Sequence, residues 1–160
     1  MARSTARGRK IDPATLDLLV AFPTRLSRLH TAILAGLDPR LTFRQYRTLS
    51  RVAEGATSMG QLAARGNLTL PTVSENVDGL VRRGLMITTP SQHDRRAVVL
   101  GVTDAGLAAV AAADEALSEF IHYLTDDLSA ADLDATVATM GRMYEKATIY
   151  FQDQHIDRNA

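Results

Sequence analysis

The chain has no cysteine and no tryptophan, and only 5 % of its residues are aromatic. Without cysteine there can be no disulfide, thiolate metal site, cysteine nucleophile or cysteine redox sensor. Histidine is sparse: His30, His93, His122 and His155 show no HxxxH or HExxH spacing, so no metal is expected. No apolar run approaches the roughly 18 residues that a membrane helix needs, and no membrane partner is expected. No nucleophile–base pair or phosphate-binding loop stands out, so neither an enzyme nor a cofactor is expected.

What is present describes a globular chain. Its 160 residues are 46 % hydrophobic and 22 % charged, enough to bury a core without a covalent staple. The basic start, MARSTARGRK, leads into LDLLVAF, which is short, carries Asp17 and ends at Pro23 before Arg25 and Arg28. It reads as a disordered tail entering a helix and not as a signal peptide, and the protein is expected in the cytoplasm.

The formal net charge is zero but unevenly spread: +3 over residues 1–39, +5 over 40–103 and −8 over 104–160. Sixteen of the 18 basic residues are arginine, the side chain suited to bidentate phosphate and guanine contacts. A positive middle segment fits a polyanion-binding module, because phosphate neutralisation supplies most non-specific affinity for DNA.

Apolar spacing predicts a first helix over residues 16–37, starting near Pro23 or kinked there. Thr42 with Gln45 forms a capping box for a second helix, with Phe43, Tyr46, Leu49 and Val52 facing inward. Arg44, Arg47 and Arg51 make a basic stripe on that helix. Ser58 with Gln61 repeats the capping pattern for a short third helix, closed by the turn Gly66-Asn67. Thr69 starts a fourth, with Pro71 in its first turn and Val73, Val77, Leu80 and Val81 inward. Strands are expected over 85–89 and 97–102, joined by a polar tip holding His93, Asp94, Arg95 and Arg96. Thr103 caps a long fifth helix. In the sixth, Leu133, Val137, Met140, Tyr144, Ala147 and Phe151 are spaced 4, 3, 4, 3, 4, a heptad seam.

The fold class is therefore mainly α with a small β-hairpin. Residues 40–103 form a winged helix–turn–helix DNA-binding lobe. Residues 13–38 and 104–151 form a helical dimerisation region, between a basic tail (1–12) and a polar tail (152–160). In such a lobe the fourth helix enters the major groove and the hairpin reaches flanking backbone or minor groove. Its outward face offers Pro71, Thr72, Ser74, Glu75 and Asn76. Asn76 suits an adenine edge, and Glu75 the amino group of cytosine. In the wing, His93 and Arg95 are phosphate candidates, and Asp94 is read as orienting a neighbouring arginine. Arg82 and Arg83 sit at a helix C-terminus, where the dipole favours cations whether or not DNA is present.

The chain resembles the multiple antibiotic resistance regulator (MarR) family of winged-helix repressors. The resemblance rests on Leu41-Thr42, Gln45 and Leu49, on Gln61-Leu62-Ala63, on Thr72-Val73-Ser74 and on Leu80 with Arg83-Gly84-Leu85. Most specific are Asp94-Arg95-Arg96-Ala97, Val102-Thr103 and Gly106, and the likeness covers roughly residues 16–150. It implies that Arg96 reaches the minor groove. It also implies that the first and last helices interlock about a two-fold axis, with Leu19, Leu26, Leu133, Val137, Met140, Tyr144 and Phe151 in the seam. A homodimer with one reading helix per subunit predicts a pseudo-palindromic operator. The resemblance further implies a small, aromatic or anionic effector held between the dimer helices and the lobe, with Arg28, His30, Tyr46 and Arg47 as candidate contacts. The expected partners are thus double-stranded DNA, a second copy and a small-molecule effector. The alternative is an effector-independent architectural or protein-docking module, which has no need of an arginine-tipped wing beside a positive helix.

Overall fold

The computed structural model describes residues 10–91 and 98–153. Six helices and one hairpin follow in order: α1 (Pro13–Ala35), α2 (Phe43–Ala53), α3 (Met59–Gly66), α4 (Leu70–Arg82), β1 (Met86–Pro90), β2 (Val98–Val102), α5 (Asp104–Thr125) and α6 (Ala130–Asp153). The strands pair antiparallel, with Met86 opposite Val102 and Pro90 opposite Val98. The architecture is the mainly helical, hairpin-bearing one that the sequence predicts.

Local chemistry sets most boundaries. Thr42 accepts from the Gln45 amide at 3.1 Å, and the Gln45 side chain accepts from the Thr42 amide at 3.0 Å, a closed capping box. Ser58 caps α3 through the Gln61 amide at 3.2 Å, but the Gln61 side chain accepts from Thr57 N at 2.7 Å instead of closing a box on Ser58. The α3–α4 turn rests on Asn67, which holds a left-handed φ of 50° that asparagine tolerates better than most residues. Of the two readings at Pro23, a start there is overturned by α1. The helix starts at Pro13, capped by Asp12 through Thr15 N at 3.0 Å, and runs through Pro23. A cap followed by proline in the first turn is the stronger start signal.

The core lies where α2, α3, α4 and the hairpin meet the end of α1 and the first turns of α5. Leu34, Leu49, Leu62, Val77, Leu80 and Met86 are its most enclosed side chains, and Leu41, Val73, Leu85 and Leu100 complete it. From α5 it takes Ala109, Val110 and Ala113. Leu34 is the one buried residue of α1, and no residue of α6 through Tyr150 is buried. Phe43, expected inward, is 45 % exposed, because its ring lies on α1 instead of in the core.

Candidate nucleic-acid interface

Helix α4 is positioned from below by its own apolar stripe. Val73, Val77 and Leu80 are buried, which turns Pro71, Ser74, Glu75 and Asp78 to solvent. Thr69 caps the helix through Thr72 N at 3.4 Å, and its hydroxyl lies 2.9 Å from that of Thr72. Thr72 and Asn76 are half-buried. The Asn76 amide donates to the hydroxyl of buried Thr48 on α2 at 2.6 Å, so part of its hydrogen-bonding capacity faces the neighbouring helix. Arg44, Glu75, Asn76 and Arg82 line one shallow groove between α2 and α4. Two cations thus flank the exposed carboxylate of Glu75, which limits its repulsion of a phosphate backbone.

The hairpin stands beside this helix. Leu100 N donates to Thr57 O at 3.0 Å, fastening β2 to the loop before α3. The predicted wing-tip residues His93, Asp94, Arg95 and Arg96 lie outside the described residues.

The candidate effector residues separate into two groups. His30 stacks on Phe43 (centroids 5.9 Å apart, 11° between planes) and meets Phe120 edge-on at 5.8 Å. Phe43 in turn lies 6.2 Å from Tyr46, so His30 and Tyr46 belong to one aromatic cluster. The Tyr46 hydroxyl donates to Asp114 at 2.6 Å. Burial, reinforced by that carboxylate, pushes the phenol above its ordinary value. Arg28 is exposed, and Arg47 lines a different cleft with Arg44 and Arg51. The predicted seam residues Leu19, Leu133, Val137 and Met140 are exposed, Leu26 is half-buried, and Tyr144 is 73 % exposed at the edge of that cleft. The side chain of Phe151 lies outside the described residues.

This lobe places a capped helix, a tight left-handed turn, a second helix with a polar outer face and a hairpin in unbroken succession. Residues 41–97 match the model of the MarR family. Over these residues the chain is similar to the MarR family, and its fold is a winged helix. The likeness in fold extends over nearly the whole chain. The transcriptional regulator BldR from Sulfolobus solfataricus is 20 % identical, with 87 % of this chain and 99 % of that one superposed at a TM-score of 0.71. MepR of S. aureus, solved as a complex with DNA, is 20 % identical over 86 % of this chain and 99 % of its own, at a TM-score of 0.70. Wild-type apo MarR from E. coli is 23 % identical over 87 % and 98 %, at a TM-score of 0.65. No curated protein matches the chain in sequence.

The MarR-like motifs have physical jobs that spacing does not reveal. Arg83 donates to Gln45 Oε1 at 3.0 Å and to the Arg40 carbonyl at 2.5 Å, tying the end of α4 to the start of α2. This contact, more than attraction to a helix dipole, explains the arginine. Gly84 adopts a φ of 71°, turning the chain into β1. Thr103 donates to the Gly84 carbonyl at 2.7 Å while accepting from Gly106 N at 3.0 Å. A Cβ on Gly106 would collide with the Leu85 carbonyl oxygen, so only glycine lets α5 lie against the base of the wing.

Proposed function

We propose that the chain is a homodimeric, sequence-specific DNA-binding repressor whose operator is a pseudo-palindrome and whose grip is relieved by a small ligand. The observation that carries this reading is the exposed outer face of α4, with Pro71, Ser74 and Glu75 presented beside a hairpin on the same lobe. Thr72 and Asn76 complete the face offered to base edges. His93, Arg95 and Arg96 supply the wing contacts, and Asp94 orients an arginine among them. MepR, which shares the fold, has been solved with DNA bound, and this supports the assignment.

Dimerisation is supported by what the single chain leaves uncovered. Leu16, Leu19 and Phe22 on α1, and Leu133, Val137 and Met140 on α6, are all exposed large apolar side chains. Contiguous apolar surface of this kind on two helices calls for a partner, and a second copy supplies a self-complementary one. Ligand relief is supported by the cluster of His30 and Tyr46 at the junction of α1, α2 and α5, with Arg28 and Arg47 nearby in sequence. A ligand there acts by favouring one relative setting of lobe and dimer helices over another.

Binding-site selection from random duplex DNA, followed by footprinting, tests the reading. Enrichment of a two-fold site with half-sites about one helical turn apart is the expected result. Enrichment of no sequence would refute it.

A further inference from the structure

Thr48 and Asn76 form a pair across the junction of α2 and α4. Thr48 is buried in α2, while Asn76 is half-buried on α4 and lines the groove between the two helices. The Asn76 Nδ2 donates to the Thr48 hydroxyl at 2.6 Å, and among the described residues nothing else pairs with the Asn76 side chain. One N–H is thus held inward, and the carbonyl and the second N–H stay available. A free carboxamide turns readily about its last torsion, and its two settings exchange donor for acceptor. Thr48 holds the setting with the nitrogen inward.

Gly79, one turn further along α4, lines the same groove as Thr72 and Asn76. The fold has no need of glycine there, because an added Cβ would meet only Arg82 Nη2, at 3.8 Å, an ordinary contact. Glycine also weakens a helix interior relative to alanine. What its bare backbone provides is room beside Asn76 for a group approaching from outside.

We propose that Thr48 is a positioning residue for base recognition. It orients the Asn76 carboxamide so that one N–H and the carbonyl meet N7 and the N6 amino group of adenine, through the clearance left by Gly79. Being buried, Thr48 touches no DNA and acts only through Asn76. With the hydroxyl gone, the amide turns over in part of the population and presents two N–H groups, which suit O6 and N7 of guanine. The inference rests on the reading of α4 as the helix that meets base edges, and adds to it the residue that decides between two purines.

Binding-site selection with the full-length wild type and its variants, followed by competition titrations with adenine or guanine at the position concerned, tests the role. Wild type should select adenine at one symmetric position in each half-site. Thr48→Val keeps the shape and removes the hydroxyl. It should lower the preference for adenine over guanine at that position at least fivefold and keep the order of preference elsewhere. Thr48→Ser, which retains a hydroxyl, should retain the preference. Asn76→Ala should lose the same position, and adding Thr48→Val to it should change nothing more. Gly79→Ala should melt no lower than wild type yet bind the selected site at least tenfold more weakly. Selection of the wild-type site by Thr48→Val, an equal loss at every position, a serine variant that behaves as the valine one, or wild-type affinity in Gly79→Ala each overturns the proposal. Any of these, with a two-fold site selected by the wild type, leaves the repressor reading standing. A wild type that enriches no sequence sinks that reading, and this inference with it.

Discussion

Tyr46 and Asp114, 68 residues apart, are joined by a 2.6 Å hydrogen bond that links the lobe's α2 to α5. It adds a polar link to the apolar one that Ala109, Val110 and Ala113 of α5 make with the core, to which α1 contributes Leu34 as its buried residue. The phenol is raised above its usual value by burial and then by the carboxylate. A raised folded-state value means that the contribution of this phenol to stability is complete below the unfolded value near 10 and fades as pH rises through the folded one. Asp114→Asn should therefore bring the phenolate absorbance titration of Tyr46 down toward the ordinary range. An unchanged titration would show that the bond is absent in solution.

Arg83→Ala should free the C-terminal end of α4 from Gln45 and Arg40. Loss of two charge-assisted hydrogen bonds at a partly solvated site should cost about 1–2 kcal/mol in urea denaturation. Arg83→Lys should not restore the loss, because a single ammonium cannot span both acceptors. Full rescue by lysine would reduce the role to charge alone.

Gly106→Ala should be among the most damaging single-methyl additions to the chain. With the Leu85 carbonyl oxygen well inside contact distance of the new carbon, α5 and the wing base must separate, at a cost of about 3 kcal/mol or more. Gly60→Ala, where a Cβ meets nothing within 4 Å, is the control and should be neutral or stabilising. Thermal melts that rank the two alike would contradict the packing described.

Arg96→Ala should weaken specific DNA binding at least tenfold, or about 1.4 kcal/mol, in a mobility-shift titration. Wild-type affinity should also fall steeply with salt. Unchanged binding by the variant would remove the wing from the mechanism.

Val137→Glu places a charge in the middle of the α6 stripe. The wild-type chain should sediment as a dimer at micromolar concentration and the variant as a monomer. The lobe should still be folded by circular dichroism, since among the described residues no buried core side chain lies on α6. A wild-type monomer would dispose of the seam.

Features governed by neighbours three or four residues away are legible in the sequence itself. The box of Thr42 and Gln45, the cap of Thr103 and the inward face of Val73, Val77 and Leu80 are all of this kind. Contacts across the fold are not. Asn76 reads as an outward polar residue until Thr48, 28 positions earlier, is seen to receive its amide. Arg83 reads as a dipole-favoured cation until Gln45 and Arg40 arrive beside it. Phe43 fits the inward spacing of α2, yet its place is set by His30 on another helix. Pro23 reads as a start or a bend, but the start is fixed upstream by Asp12 and Pro13, and no single-residue rule weighs one against the other. The stripe of Arg44, Arg47 and Arg51 is visible as charge, whereas its concavity depends on Leu68 and Tyr144, remote in sequence.

The bare backbone at Gly106 also settles how force travels. With α5 seated directly on the Leu85 carbonyl and Thr103 gripping Gly84, the long helix and the hairpin share one fulcrum. Tilting the helix therefore carries the base of the hairpin with it.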